Sequence, residues 1–482
     1  MKKQKFNLCI ILSAILTIVL FFLFKNEHFA LDTYTFELDI KENAHWYLIN
    51  GRLVMTLYLY ICLLLNISCK TIKFISLIIS LSSLFISNIV LTKMAVKYIK
   101  NKNMASLIST CIIYSPFIFE FFIFTEYTGI MSFGLLMSIL ASNFLQKYFE
   151  ERKIKYILLS LILAFLSASS YQGVIGCFVS ITSLYIVINY KNIKEFITQN
   201  VYTFSIYGIV SLISLIITKI CGLARVSTVG YKLIETLKGV ARGTLSLILN
   251  TSYVYPKYYY FLILILMVLL IVFLCIKTSK PQKIWLTIYL VVLVIFISVA
   301  PQFLVKYDLI WIVPRSNISL GMLFGILCFW YNSQMEENTI YLKFNILVII
   351  LTLALQLIGW YQISMDQYYV NKLDKSFAES ILPKIHEYEN ENNVTVTKIG
   401  IANDKAPMYT YKDVETMSGD VNVRAGSIPW AIPTLLGYYD DKEYLMVEAS
   451  EDIKEYCSSK NWDSVNIEQL KFIDDTLYIC TY

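Results

Sequence analysis

The chain has 482 residues, of which 57% are hydrophobic and 16% charged, and its net charge is +6. A soluble domain carries about 25% charged residues. Together with only 3 histidines and 17 glycines, and without a G-x-x-x-x-G-K-[ST] phosphate loop, this argues against a soluble enzyme, a nucleotide-driven motor or a disordered scaffold and for a polytopic membrane protein.

A membrane-crossing helix needs about 20 mostly apolar residues. Runs of that kind lie near 7–24, 53–68, 72–92, 104–124, 129–146, 155–170, 172–189, 201–221, 258–276, 284–304, 313–331 and 342–362. Met1-Lys2-Lys3-Gln4-Lys5 resembles the start of a signal peptide, but no small-residue cleavage site follows. The expectation is an uncleaved first span with its N-terminus inside. Basic clusters at Lys93, Lys97, Lys100 and Lys102, at Lys147, Arg152, Lys153 and Lys155, at Lys191 and Lys194, and at Lys277, Lys280 and Lys283 mark cytoplasmic loops by the positive-inside rule. The tail then lies outside, which needs an odd number of crossings. The weakest run, 53–68, reaches about 24 Å at ~1.5 Å per residue, short of a ~30 Å hydrocarbon core. It is expected to be re-entrant or interfacial, leaving about eleven crossings.

The turns that face out hold the informative polar groups. The loop after the first span contains Asp32, Glu37 and Asp39 and closes on Asn50-Gly51-Arg52. A carboxylate there can deprotonate an acceptor hydroxyl, or with a lipid phosphate hold Mg²⁺ or Mn²⁺; acids in a solvated loop are also ordinary. Glu126 and Tyr127 stand between two long apolar runs, and Tyr171-Gln172-Gly173 ends a Ser-rich turn that would equally serve helix packing. The stretch 222–257, with Arg225, Lys232, Lys238 and Arg242, reads as an amphipathic helix on the outer surface. Arg315 follows Pro314 at the mouth of a span, against the positive-inside trend. A lipid phosphate would explain it, as would an acid on a neighbouring helix.

The tail changes character. Residues 365–482 hold 21 of the 35 acidic residues and 11 of the 41 basic ones, a net of −10, leaving +16 on the first 364. That split reads as membrane topology and not as a nucleic-acid surface. Residues 366–392 carry an amphipathic stripe of Leu373, Phe377, Ile381 and Ile385. Strand signals follow at 394–402, 445–449 and 476–480, and Pro407, Gly419, Gly426, Pro429, Pro433 and Gly437 punctuate loops. The predicted fold is mainly α: a membrane helix bundle over 1–363 with an outer loop at 25–52, and a small extracytoplasmic α+β domain over 364–482. Cys457 and Cys480 could pair there or remain free thiols.

Asp32, Asn50-Gly51-Arg52-Leu53, Glu126-Tyr127, Ser170-Tyr171-Gln172 and Pro314-Arg315-Ser316, in this order and with these loop placements, resemble the bacterial Gtr-type (GtrII-like) glucosyltransferases, polytopic enzymes of GT-C-like architecture. The family's first loop tends to hold adjacent acids, whereas here Asp32 is followed by Thr33. The resemblance implies a plasma-membrane enzyme that moves glucose from a polyprenyl-phosphate donor to a surface glycan or glycolipid on the outer face. Asp32, Glu37 or Asp39 would be the general base. Arg315 and Arg52 would bind the donor phosphate, and Glu126 and Gln172, beside Tyr127 and Tyr171, would orient sugar hydroxyls or the catalytic acid. A flippase or exporter of lipid-linked glycans would instead place charges deep within its spans, and a glycan polymerase would likewise use arginine in outer loops. A missing side-branch hexose in a deletion strain distinguishes the transferase from both.

Overall fold

The computed structural model describes residues 7–25, 28–221, 232–249, 281–305, 310–334, 339–403, 423–460 and 467–481, with single positions at 265 and 272. The run expected at 258–276, Arg225, Lys277, Lys280, Pro407 and Gly419 lie outside these residues or in isolation among undescribed ones. The chain divides into two compact units: Met1–Asn26 with Ala44–Gln362, and Glu27–Asn43 with Ile363–Tyr482.

The first unit is helical. Among the described residues, five helices are long and apolar enough to cross a membrane, or six if one bent pair counts as a single span; four more apolar helices have 10–17 residues. The protein is a membrane protein by this measure; the eleven expected crossings are not all seen as full-length spans among the described residues, where three runs fold as helices of 17 residues, at the lower limit for crossing, and the run at 258–276 lies outside them. Leu53–Leu64 has only 12 residues, about 18 Å at ~1.5 Å per residue. Residues 104–124 do not form one straight span. Lys102–Ile113 and Pro116–Ile123 meet at 45°, because Pro116 has no N–H to continue the ladder and restricts Ser115 before it.

Lipid tails are as apolar as leucine, so helices here associate through small and hydroxyl side chains. Ser80 and Ser132 lie 2.7 Å apart across two helices, as do Ser138 and Ser167. Asn88 Nδ2 donates to Ser13 at 2.7 Å and to Thr110 at 2.9 Å, tying three helices together. The described part of 222–257 is one helix, Leu233–Leu249. It buries Thr236, Val240 and Thr244 and exposes Leu237, Lys238, Arg242 and Leu245.

One helix, Thr339–Asn392, has 54 residues. A separate span at 342–362 and amphipathic helix at 366–392 were expected. They are continuous, since no glycine or proline interrupts the junction and Pro383 lies well beyond it. In the second unit, β1 (Lys398–Asn403) runs parallel to β2 (Leu445–Glu448) and to β4 (Thr476–Thr481), while β3 (Leu470–Ile473) is antiparallel to β4. The sheet order is β2-β1-β4-β3. Its core joins Ile399, Leu477 and Ile479 to Ile381 and Ile385 of the long helix; of the expected stripe, Leu373 and Phe377 are half-buried. Cys457 and Cys480 are buried and not joined by a disulfide, and Cys457 Sγ donates to the Ala402 carbonyl at 3.2 Å.

Candidate functional site

Three chain breaks in the first unit build one site. The first is Pro314–Asn317, a turn with proline at its start, where the missing N–H costs nothing. Asn317 Nδ2 donates to the Val313 carbonyl at 2.8 Å and Ser298 Oγ donates to Asn317 Oδ1 at 3.1 Å, which fixes the turn from two sides. Arg315 projects from it. Its Nη1 donates to Glu120 Oε1 and its own backbone N–H to Glu120 Oε2, both at 2.5 Å. The guanidinium lies 4.3 Å from the Phe124 ring centroid, a cation–π distance.

Glu120 sits on the second half of the broken helix and is buried. Glu120 was not singled out within the run 104–124, but it supplies the acid on a neighbouring helix that was the alternative partner for Arg315. The signal was the residue itself: an acid within an apolar run needs a partner or a function.

The second break is Tyr171–Val174. A Cβ on Gly173 would stand 2.9 Å from the Arg315 carbonyl and 2.8 Å from Ser316 Cα, so only glycine lets these two turns touch. The third is Asn50–Arg52. Gly51 has φ +73°, the left-handed region that favours glycine, and a Cβ there would meet Thr218 Cγ2 at 2.6 Å. Gln172 joins the second and third breaks: its Nε2 donates to the Asn50 carbonyl at 2.7 Å, and its Oε1 accepts from Arg52 Nε at 3.4 Å. The Arg52 guanidinium lies 5.0 Å from the Tyr171 ring and 5.5 Å from the Tyr47 ring.

Asn50, Arg52, Tyr171, Gln172, Trp311 and Arg315 line a cavity of about 230 Å³, whose described lining residues include no Asp or Glu. Four of the sequence-predicted residues, Arg52, Tyr171, Gln172 and Arg315, therefore meet. Tyr127 stands behind them: its ring stacks on Phe124 at 5.2 Å and meets Tyr47 edge-on at 5.3 Å, so an aromatic chain runs beneath both guanidiniums. Glu126 is fully buried, with Thr125 Oγ1 3.4 Å from its Oε2, and is not among the cavity's lining residues.

The first-loop acids belong to the second unit. Asp32 lies in the first turn of helix Leu31–Leu38, where the helix dipole favours a carboxylate. Asp39 is exposed, and its Oδ1 accepts from the Glu42 N–H at 2.9 Å, which caps helix Ile40–Ile49. Glu37 is half-buried. Within this unit the loop is clamped at Phe29, whose N–H donates to Asn371 Oδ1 at 3.1 Å and whose carbonyl accepts from Gln367 at 2.8 Å and Asn371 at 2.9 Å. Gln367, Asn371 and the buried Asp374 below them were not singled out, because polar residues on a long helix read as a solvated face. Among the described residues, no group of three or more His, Cys, Asp and Glu is placed to hold a metal ion.

No curated protein matches the chain. The family model described as Glucosyl transferase GtrII matches residues 20–329, a span that holds Asp32, all three breaks and Glu120. The protein therefore belongs to the GtrII glucosyltransferase family and is a membrane glycosyltransferase.

Proposed function

We propose that the enzyme transfers glucose from a polyprenyl-phosphate donor to a hydroxyl of a surface glycan or glycolipid on the extracytoplasmic face of a bacterial plasma membrane. The observation that carries this reading is the cavity lined by Arg52 and Arg315. Guanidinium groups offer planar donors matched to phosphate oxygens. Tyr171 and Trp311 give the same cavity aromatic faces on which a sugar ring can rest.

In this reading Asp32, Glu37 or Asp39 takes the proton of the acceptor hydroxyl. The oxygen attacks the anomeric carbon, the bond from that carbon to the phosphate oxygen breaks, and polyprenyl phosphate leaves with the electron pair. Arg315 and Arg52 stabilise the charge that gathers on it. Gln172 orients the sugar from the cavity wall, with Tyr171 beside it, while Glu126 and Tyr127 shape the support behind. The capping bond of Asp39 favours Asp32 and Glu37 over it as base. The basic clusters at 93–102, 147–155 and 191–194 support about eleven crossings with the N-terminus inside and the second unit outside.

The test is transfer by the purified full-length chain from undecaprenyl phosphate [¹⁴C]glucose to surface glycan taken from a deletion strain. Transfer that survives Asp32→Asn, Glu37→Gln and Asp39→Asn, each made singly, removes the base assignment. Movement of the donor between leaflets without transfer would favour a flippase, and total loss of polymer in the deletion strain would favour a polymerase.

A further inference from the structure

Glu120 belongs to none of the motifs that bear the family resemblance, yet it touches Arg315 at both its side chain and its main chain. We propose that Glu120 is the positioning residue for Arg315, holding that guanidinium in the orientation in which it receives the donor phosphate. The proposal rests on the reading of Arg315 as a phosphate ligand.

Three contacts support it. Glu120 Oε1 takes Nη1 of Arg315, and Oε2 takes the backbone N–H of the same residue, each at 2.5 Å. One carboxylate thus closes a ring through the whole arginine side chain, so the rotors between Cα and the guanidinium cannot turn independently. Phe124 lies under the guanidinium plane at 4.3 Å and restricts its tilt. Arg315 also lines the cavity.

The main-chain bond also explains why the phosphate need not lose to the carboxylate. Glu120 is anchored by its second oxygen to a backbone that Pro314 and Asn317 hold in place. Its site is built at the 45° helix break, which turns residue 120 toward the Pro314–Asn317 turn. Pre-organised donors of this kind need no reorganisation when the ligand arrives.

The experiment is a binding cycle on the full-length chain in lipid nanodiscs, with undecaprenyl phosphate [¹⁴C]glucose as probe. Glu120→Gln should weaken binding about ten-fold or more, and Glu120→Asp, which keeps the charge on a shorter arm, should fall between it and the parent. In an Arg315→Gln background, Glu120→Gln should cause no further loss, because its action passes through Arg315. A purely structural role would instead show losses that multiply. The double variant carries no buried charge at this point, so its thermal melt separates misfolding from lost positioning. Parental affinity in both Glu120 variants, or multiplying losses in the double variant, overturns the proposal. Unchanged affinity in Arg315→Gln alone overturns the reading of Arg315 itself, whereas a loss there with none in Glu120→Gln overturns only the positioning role.

Discussion

Each unit contains a buried acid facing an arginine, and the two pairs are built differently. In the first, the side chains of Glu120 and Arg315 are 2% and 13% exposed and meet at 2.5 Å. In the second, Asp374 and Arg424 are 1% and 9% exposed, and the Asp374 oxygen stands 3.7 Å from Arg424 Nε. Asp374 spends its oxygens on the main chain instead: Oδ2 accepts from the Ala425 N–H and Oδ1 from the Gly426 N–H, both at 3.0 Å. Those residues start the turn packed against Phe29, Leu31 and Tyr34. One acid aims a guanidinium at a cavity; the other pins a loop under the helix that carries Asp32. Burial and charge are alike, and only the identity of the hydrogen-bond donors separates a site from a fastening.

The largest expected effect tests the fastening. Asp374→Ala leaves two buried N–H groups without their acceptor and removes the carboxylate 3.7 Å from the buried Arg424 guanidinium, and should cost about 3–5 kcal/mol. The second unit should melt earlier and become protease-sensitive, while donor binding in the first unit is retained. Loss of donor binding without loss of stability would show that the comparison has its roles reversed. Arg315→Gln comes next. Removing a donor that stabilises developing charge lowers kcat about 10²–10³-fold, read as glucose transfer at saturating donor. Gly51→Ala is smaller: a left-handed conformation costs an L-residue about 1–2 kcal/mol, and the new Cβ meets Thr218. It should lower donor affinity through the Asn50–Gln172–Arg52 chain, detectable in the same binding assay.

The smallest effect is on pH. Burial pushes the Asp374 carboxyl up to about 6, against the lowering influence of the Gly426 and Ala425 N–H groups and of Arg424. Its folded value then exceeds the unfolded one of 3.8, so folding favours the protonated form. That contribution is fully present below the unfolded value and is lost as pH rises through about 6. The second unit should therefore lose stability between about pH 4 and 6, and Asp374→Asn should flatten the slope in a melting series. A slope that persists in this variant would assign it to another group.

Much of the site was legible in residue types. Arg315 after a proline, Gln172 after a tyrosine and Arg52 after a glycine stood out because polar groups are scarce in so apolar a chain. The strands were legible too, apart from Leu470–Ile473, whose four residues carry a lysine and little alternation. Glu120 was not, because a count of apolar residues absorbs one acid without changing the sum. Nor was the bend at Ser115-Pro116, since hydropathy does not register the N–H that Pro116 lacks.

By itself the sequence determined that the chain is a membrane protein, where its basic loops lie, and which few polar residues are worth naming, because hydropathy and charge are properties of residues and their near neighbours. The tertiary structure decided which of these residues share a cavity. Arg52, Gln172 and Arg315 lie more than a hundred residues apart along the chain, and Gly173 comes against the Arg315–Ser316 backbone only once the helices pack. It also decided that Glu120 faces Arg315 and that Gln367 and Asn371 grip the first loop, since hydrogen bonds between distant segments have no trace in local composition.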